Sequence, residues 1–137
     1  MAVVAGDILE ITYNNPNKGS GRFFAKAGED SEFVLGGYEV DDDKNAIDGG
    51  GRNIKKMNMT KPSFSVLVSW DMNTDNEMQK LQDLCDEPLD SDFTISHING
   101  STWAMTGSPV GENKGNGNSG TFTLKISGGG RLKKILG

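Results

Sequence analysis

The strongest constraint in this chain is a period of two. From Ser63 to Asp71, Phe64, Val66, Val68 and Trp70 fall on one side of an extended backbone. Ser63, Ser65, Ser69 and Asp71 fall on the other, with Leu67 as the exception. Thr121 to Ser127 repeats the arrangement, with Phe122, Leu124 and Ile126 alternating with Thr121, Thr123, Lys125 and Ser127. Successive side chains of a strand point to opposite faces, so each segment buries one face and leaves the other to water or a neighbour. Further strands are expected over Asp7 to Tyr13, Arg22 to Ala27, Glu32 to Val40, Phe93 to Ile98 and Thr102 to Thr106. Gly28-Glu29-Asp30-Ser31 and Asn99-Gly100-Ser101 have the composition of hairpin connections. The 19 glycines point the same way, to turns, bulges and loops.

One segment follows a helical period instead. Thr74-Asp75-Asn76-Glu77 has the spacing of a capping box, in which the Thr74 hydroxyl and Glu77 carboxylate satisfy free amides of a first turn. Met78, Leu81, Leu84 and Cys85 then recur on one helical face, and Pro88 stops the run. This predicts a helix over residues 75–87, whose single apolar stripe must pack on a sheet. A length of 137 residues and 14.7 kDa suits one hydrophobic core, so residues 1–137 are expected to form a single, mostly β domain carrying one α-helix.

Two stretches fall outside these patterns. Asp41 to Gly51 is acidic and then glycine-rich, and it leads into Arg52 to Lys61, which is basic but holds Ile54, Met57 and Met59. A long polar excursion in a compact domain is usually functional or disordered, and methionines suit an adaptable contact surface. Gly111 to Gly120 has the composition of a loop.

Charge narrows the function. A net charge of -5 argues against a protein that grips nucleic acid, whose affinity comes mostly from neutralising phosphates. The charge is also uneven: Asp71 to Asp92 holds eight acidic residues against Lys80 alone, while residues 113–137 hold five basic residues and no acidic one. These blocks are either solvated faces or complementary patches through which copies meet. No apolar run approaches the roughly 20 residues that span a bilayer. The N-terminus has no basic n-region or apolar h-region, so neither a secretory signal nor a membrane anchor is expected. A single cysteine, Cys85, excludes an internal disulfide and fits a reducing compartment.

Catalytic signatures are missing. Gly115-x-Gly117-x-x-Gly120 spells a dinucleotide fingerprint, but a strand rather than a helix follows it. Asp41-x-Asp43-x-Asn45 opens like a calcium loop, yet Ala46 replaces the glycine and Arg52 occupies the closing glutamate position. His97 is the only histidine, and with Cys85 it supplies neither a zinc set nor an oriented nucleophile. Trp70 and Trp103 sit in candidate strands, Trp70 on the apolar face. No catalytic residue, cofactor or metal site is expected, and the chain is read as a non-enzyme.

The order of elements carries a resemblance. It runs from an N-terminal strand and hairpin through a long polar arm, a strong amphipathic strand and a capped helix. Two strands, a glycine-rich loop, a final strand and a short basic tail follow. With Arg52-Asn53-Ile54 through Phe64-Ser65-Val66, the helix Glu77 to Leu84, Phe93-Thr94-Ile95 and Gly120 to Gly128 followed by Gly129-Gly130-Arg131-Leu132, this resembles the bacteriophage tail tube protein family, whose fold is shared with type VI secretion tube proteins. The resemblance implies a β-sandwich or β-barrel of antiparallel strands with a flanking helix and an extended arm. Such subunits assemble into stacked, hexameric rings that form a hollow conduit for phage DNA in the virion, and they are made in the bacterial cytoplasm. It also implies that the arm, about residues 40–62, contacts neighbouring subunits, which makes Asp42, Asp43, Arg52, Ile54, Lys55, Lys56, Met57 and Met59 contact residues. The partners implied are other copies of the chain, with tail sheath, baseplate and tail terminator proteins beyond them. DNA passes without specific binding. A polar wall would let it slide, which makes Ser63, Ser65, Ser69, Asp71, Thr121, Thr123 and Ser127 candidate lumen residues, although Lys125 interrupts that face. The same faces could instead meet the sheet of an adjacent subunit. Two alternatives stand beside this reading: a type VI secretion-like tube, and a monomeric β-sandwich binding module using Trp103 and the Gly111 to Gly120 loop.

Overall fold

The computed structural model describes residues 2–136. The order of elements is β1 (Ile8–Asn15), β2 (Gly19–Phe24), β3 (Ser31–Val34), β4 (Gly37–Asp41), β5 (Lys56–Thr60), β6 (Ser63–Ser69), α1 (Glu77–Asp86), β7 (Ser91–His97), β8 (Thr102–Pro109), β9 (Gly115–Asn116) and β10 (Thr121–Leu136). The principal sheet has eight strands in the order β2-β1-β7-β8-β10-β6-β3, with the short β9 added to β10, and every pairing is antiparallel. β4 and β5 pair only with each other. The protein is therefore mostly β, with one flanking helix and an arm, as the alternation predicts.

The sheet curls around its own apolar side without closing. Ala25, just past β2, bridges to Val68 of β6, and Lys26 N–H donates to the Leu67 carbonyl at 2.9 Å. Inside the curl, the alternating residues meet: Phe64, Val66 and Val68 of β6 face Phe122, Leu124 and Ile126 of β10, with Ile11, Phe23, Phe93 and Ile95 from the other wall, all buried. Phe23 stands edge-on to Phe122 at 6.2 Å between ring centres, and Phe33 edge-on to Phe64 at 4.9 Å. Burying each such ring contributes about 1.5–3 kcal/mol. Buried Asn15 is satisfied on both ends of its amide: its Nδ2 donates to Ser91 Oγ at 2.8 Å and to Leu89 O, and its Oδ1 accepts from the Asn17 and Lys18 amides.

The helix lies across one end of the sheet, where β6, β8 and β1 finish and β10, β7 and β2 begin. Its Leu81 and Leu84 join the core. Met78 and the Trp70 ring, just after β6, leave no room for a Cβ at Gly115 of β9. Cys85 Sγ lies 3.9 Å from the Pro109 carbonyl, and Asn17 Nδ2 donates to Glu87 Oε1 at 2.9 Å. The arm leaves from the opposite end.

Several local expectations are corrected. No capping box forms, and the helix begins at Glu77 rather than residue 75. The Thr74 hydroxyl donates to Asp71 Oδ2, and Asn76 takes a left-handed φ of 44° with no side-chain cap. Glu77 reaches back instead to the Asp71 amide, its Oε2 accepting at 2.6 Å. The Asp71 carboxylate captured the hydroxyl that the cap needed. Residues 28–31 do not make a hairpin, because β2 and β3 lie at opposite edges of the sheet. The Glu32 to Val40 strand is broken at Gly36 and Gly37, whose φ values of +81° and +85° turn the chain out into β4. The last strand extends past Ser127 to Leu136, bending at Gly128 to Gly130 with a register shift against β8. The Gly111 to Gly120 stretch is not wholly loop, since Gly115 and Asn116 pair with Phe122 and Thr121. Asn99-Gly100-Ser101 does connect the paired β7 and β8.

Candidate assembly surfaces

The arm is a hairpin outside the main sheet with one exposed, apolar side. Its register sets Tyr38 opposite Met59 and Val40 opposite Met57, and residues two apart share a face. All four are exposed, Met59 to 78%. Glu39, Asp41, Lys56 and Asn58 occupy the other face, and Lys56 Nζ lies 3.9 Å from Asp41 Oδ2. An isolated two-stranded hairpin is marginal in water, and a contiguous apolar stripe marks a contact surface.

The tip is ordered by its own polar groups. Asp43 Oδ1 accepts from the Asn45 amide at 2.9 Å, and Ile54 N–H donates to the Ala46 carbonyl at 2.7 Å. Asp48 accepts from the Gly50 and Arg52 amides, and its Oδ2 lies 2.6 Å from Arg52 Nε. The Arg52 amide above all, and then its side chain and the Gly50 amide, hold the Asp48 carboxyl below its ordinary range. This turn leaves Ile47 and Ile54 exposed. The predicted contact residues Asp42, Asp43, Arg52, Ile54, Lys55, Lys56, Met57 and Met59 all lie on the hairpin or its tip and are all exposed.

At its foot the arm joins the sheet through two short stems. Leu132 N–H donates to the Leu35 carbonyl at 2.9 Å, Gly36 bridges to Arg131, and the Arg131 guanidinium packs over Gly37. A groove of about 330 Å³ opens there, lined by Tyr38, Met59, Lys61, Pro62 and Arg131.

The predicted polar face is present in part. β6 and β10 set Ser63 opposite Ser127, Ser65 opposite Lys125, Leu67 opposite Thr123 and Ser69 opposite Thr121. Ser63, Ser65, Ser69, Thr123 and Ser127 therefore share one side, and so do Leu67 and Lys125. Two residues do not fit. Thr121 is buried, with its hydroxyl 2.7 Å from Ser119 Oγ. Asp71 lies beyond the end of β6 in the turn before α1, held by Thr74 and Asn73. The Thr74 hydroxyl is the main reason that the Asp71 carboxyl sits below its ordinary range.

A second polar face, across β2, β1, β7 and β8, was not anticipated. Thr12, Asn14, Ser20 and Arg22 line a groove of about 680 Å³, and Asp92 and Thr94 join it to another of about 340 Å³ with Thr106, Gly129 and Lys133. The alternation of Asp92, Thr94 and Ser96 with Phe93 and Ile95 carries this face in the sequence. Its extent depends on β1, β2 and β7 lying side by side.

Among the described residues, His97 and Cys85 are not brought together. His97 Nδ1 accepts from the Asn99 amide at one end of the sheet, and Cys85 sits on α1 at the other. Among the described residues, no group of three or more His, Cys, Asp or Glu is placed to hold a metal. Trp103 leans on Phe33 at 5.5 Å, on the arm's end, while the Gly111 to Gly120 segment packs beside Trp70 and α1 at the other end. The two parts of the binding-module expectation, Trp103 and the Gly111 to Gly120 loop, are therefore not brought together. Among the described residues no helix is long and apolar enough to cross a membrane. Set against known proteins, the chain matches no family model and no curated protein.

Proposed function

We propose that this chain is a structural subunit that polymerises with copies of itself, as tail tube proteins do, into stacked rings forming a hollow conduit in a phage virion. The observation that carries this reading is the hairpin outside the main sheet, whose Tyr38, Val40, Met57 and Met59 form a stripe of exposed apolar side chains. An arm of this kind costs stability in a monomer and regains it by docking. The resemblance in element order favours a tube over other assemblies, and a tube needs no active site. The polar faces of the sheet are the surfaces suited to a DNA-conducting wall, because small hydroxyls without dense positive charge do not hold phosphates.

The test is negative-stain electron microscopy and sedimentation velocity of the purified chain beside a variant in which Tyr38 to Met59 is replaced by Asn-Gly. Rings or rods from the parent and a folded monomer from the variant are expected. Equal assembly by both would remove the arm from the mechanism.

A further inference from the structure

The two ends of the molecule carry unlike and unpaired charge. Around α1, Asp75, Asp83, Asp86, Glu87 and Asp90 have no Lys or Arg at ion-pair distance among the described residues, and Lys80 is the single base on the helix. At the foot of the arm, Lys61 and Arg131 are exposed, and Lys133 is exposed two residues along β10, in the groove that also holds Asp92; none of the three has an acidic group at ion-pair distance among the described residues. The ends are held apart by the sheet. β6 runs seven residues from the foot to the turn before α1, about 20 Å at the usual rise, and β10 runs beside it in the opposite direction. These two charged surfaces therefore cannot neutralise each other within one molecule.

Resting on the self-assembly reading above, we propose that the acidic, helix-bearing end of one copy receives the basic foot of the arm of the next copy. Each surface also offers exposed apolar groups: Met72 and Leu89 at the helix end, and Tyr38 and Met59 at the foot. Opposite potentials steer the encounter and fix the polarity, and the apolar groups supply area to bury. The arm's own Asp42 and Asp43 sit at its tip, about 15 Å along the hairpin from the foot, so they do not mask it. A contact between two different surfaces of one chain is heterologous, and it propagates in one direction instead of closing as a two-fold dimer.

Two paired variants test this. Lys61→Glu with Lys133→Glu turns the foot net acidic like the helix end, and Asp75→Lys with Asp86→Lys and Asp90→Lys turns the helix end net basic like the foot. All five positions are exposed, and unchanged circular dichroism and melting temperature establish that each variant is folded. Each variant alone should need a protein concentration at least about tenfold higher to assemble than the parent. An equimolar mixture should assemble near the parent concentration, because each foot then meets an end of opposite sign. Parent assembly should weaken as salt is raised. A parent chain that forms rods, with variants that assemble as well or a mixture that does not recover, overturns this contact and leaves the assembly reading standing. A parent chain that stays monomeric at every concentration and salt overturns both.

Discussion

Gly107 and Gly128 face each other where β8 and β10 meet at the bend, and a Cβ on either would run into the backbone of the other strand. Gly128→Ala should therefore cost about 2–4 kcal/mol of stability, because the obstruction is main chain and cannot rotate away. Gly129→Ala, one residue on, meets open space and should stay within about 0.5 kcal/mol; urea unfolding midpoints compare the two. Glu77 is buried and serves the Asp71 amide in place of the absent cap. Glu77→Gln should cost about 1–2 kcal/mol by weakening that charge-assisted bond. The triplet of glycines and the Thr-x-x-Glu spacing are both visible in the sequence. Their roles are not, because the first depends on which strand lies opposite and the second on a competing carboxylate at Asp71.

At the scale of elements, the arm shows most clearly what local pattern can and cannot reveal. Its composition marks Asp41 to Lys61 as something other than core, and its methionines mark it as a contact surface. That it is a hairpin with a one-sided apolar stripe depends on a register set by Gly37 opposite Thr60 and by the turn built on Asp48. Tyr38→Ser with Met59→Ser should leave the unfolding midpoint nearly unchanged, because both side chains are solvated in the monomer, while greatly reducing assembly in sedimentation velocity. The tip has its own pH dependence. The Asp48 carboxyl titrates below its ordinary value near 3.8, so its contribution is present above that pH and is lost as pH falls through the lowered value. Amide exchange at Gly50 and Arg52, corrected for the intrinsic rate, should lose protection in that acid window while core amides keep theirs.

For the whole molecule, the consequence of the topology is polarity. One curled sheet carries a helix and acidic groups at one end and an arm with a basic foot at the other, so the molecule has two ends that differ in charge and shape. The arm shares few contacts with the core. Replacing Tyr38 to Met59 by Asn-Gly should leave a single cooperative urea transition, with stability within about 1 kcal/mol of the parent. A broadened or split transition in that variant would show that the arm is part of the folding unit, contrary to its position outside the main sheet.

Alternation in Ser63 to Ser69 and Phe122 to Ser127 by itself determined that these segments are strands and that Phe64, Val66, Val68, Phe122, Leu124 and Ile126 are buried, because a strand on a core leaves no other assignment for a period of two. The periodic Met78, Leu81, Leu84 and Cys85 determined the helix in the same way. Only the tertiary structure decided that β2 and β3 part to opposite edges, that Ser119 and the β9 segment bury Thr121, that Asp71 leaves the polar face, and that Trp103 is far from the glycine-rich loop. It also set the carboxylates of Asp75 to Asp90 around the helix at one end and Lys61 with Arg131 at the other, while Lys114 of the basic block stays beside the helix. The reason is physical: local sequence sets the period and the turn chemistry, whereas pairing between strands joins residues far apart in the chain, and that pairing decides what each face and each end presents.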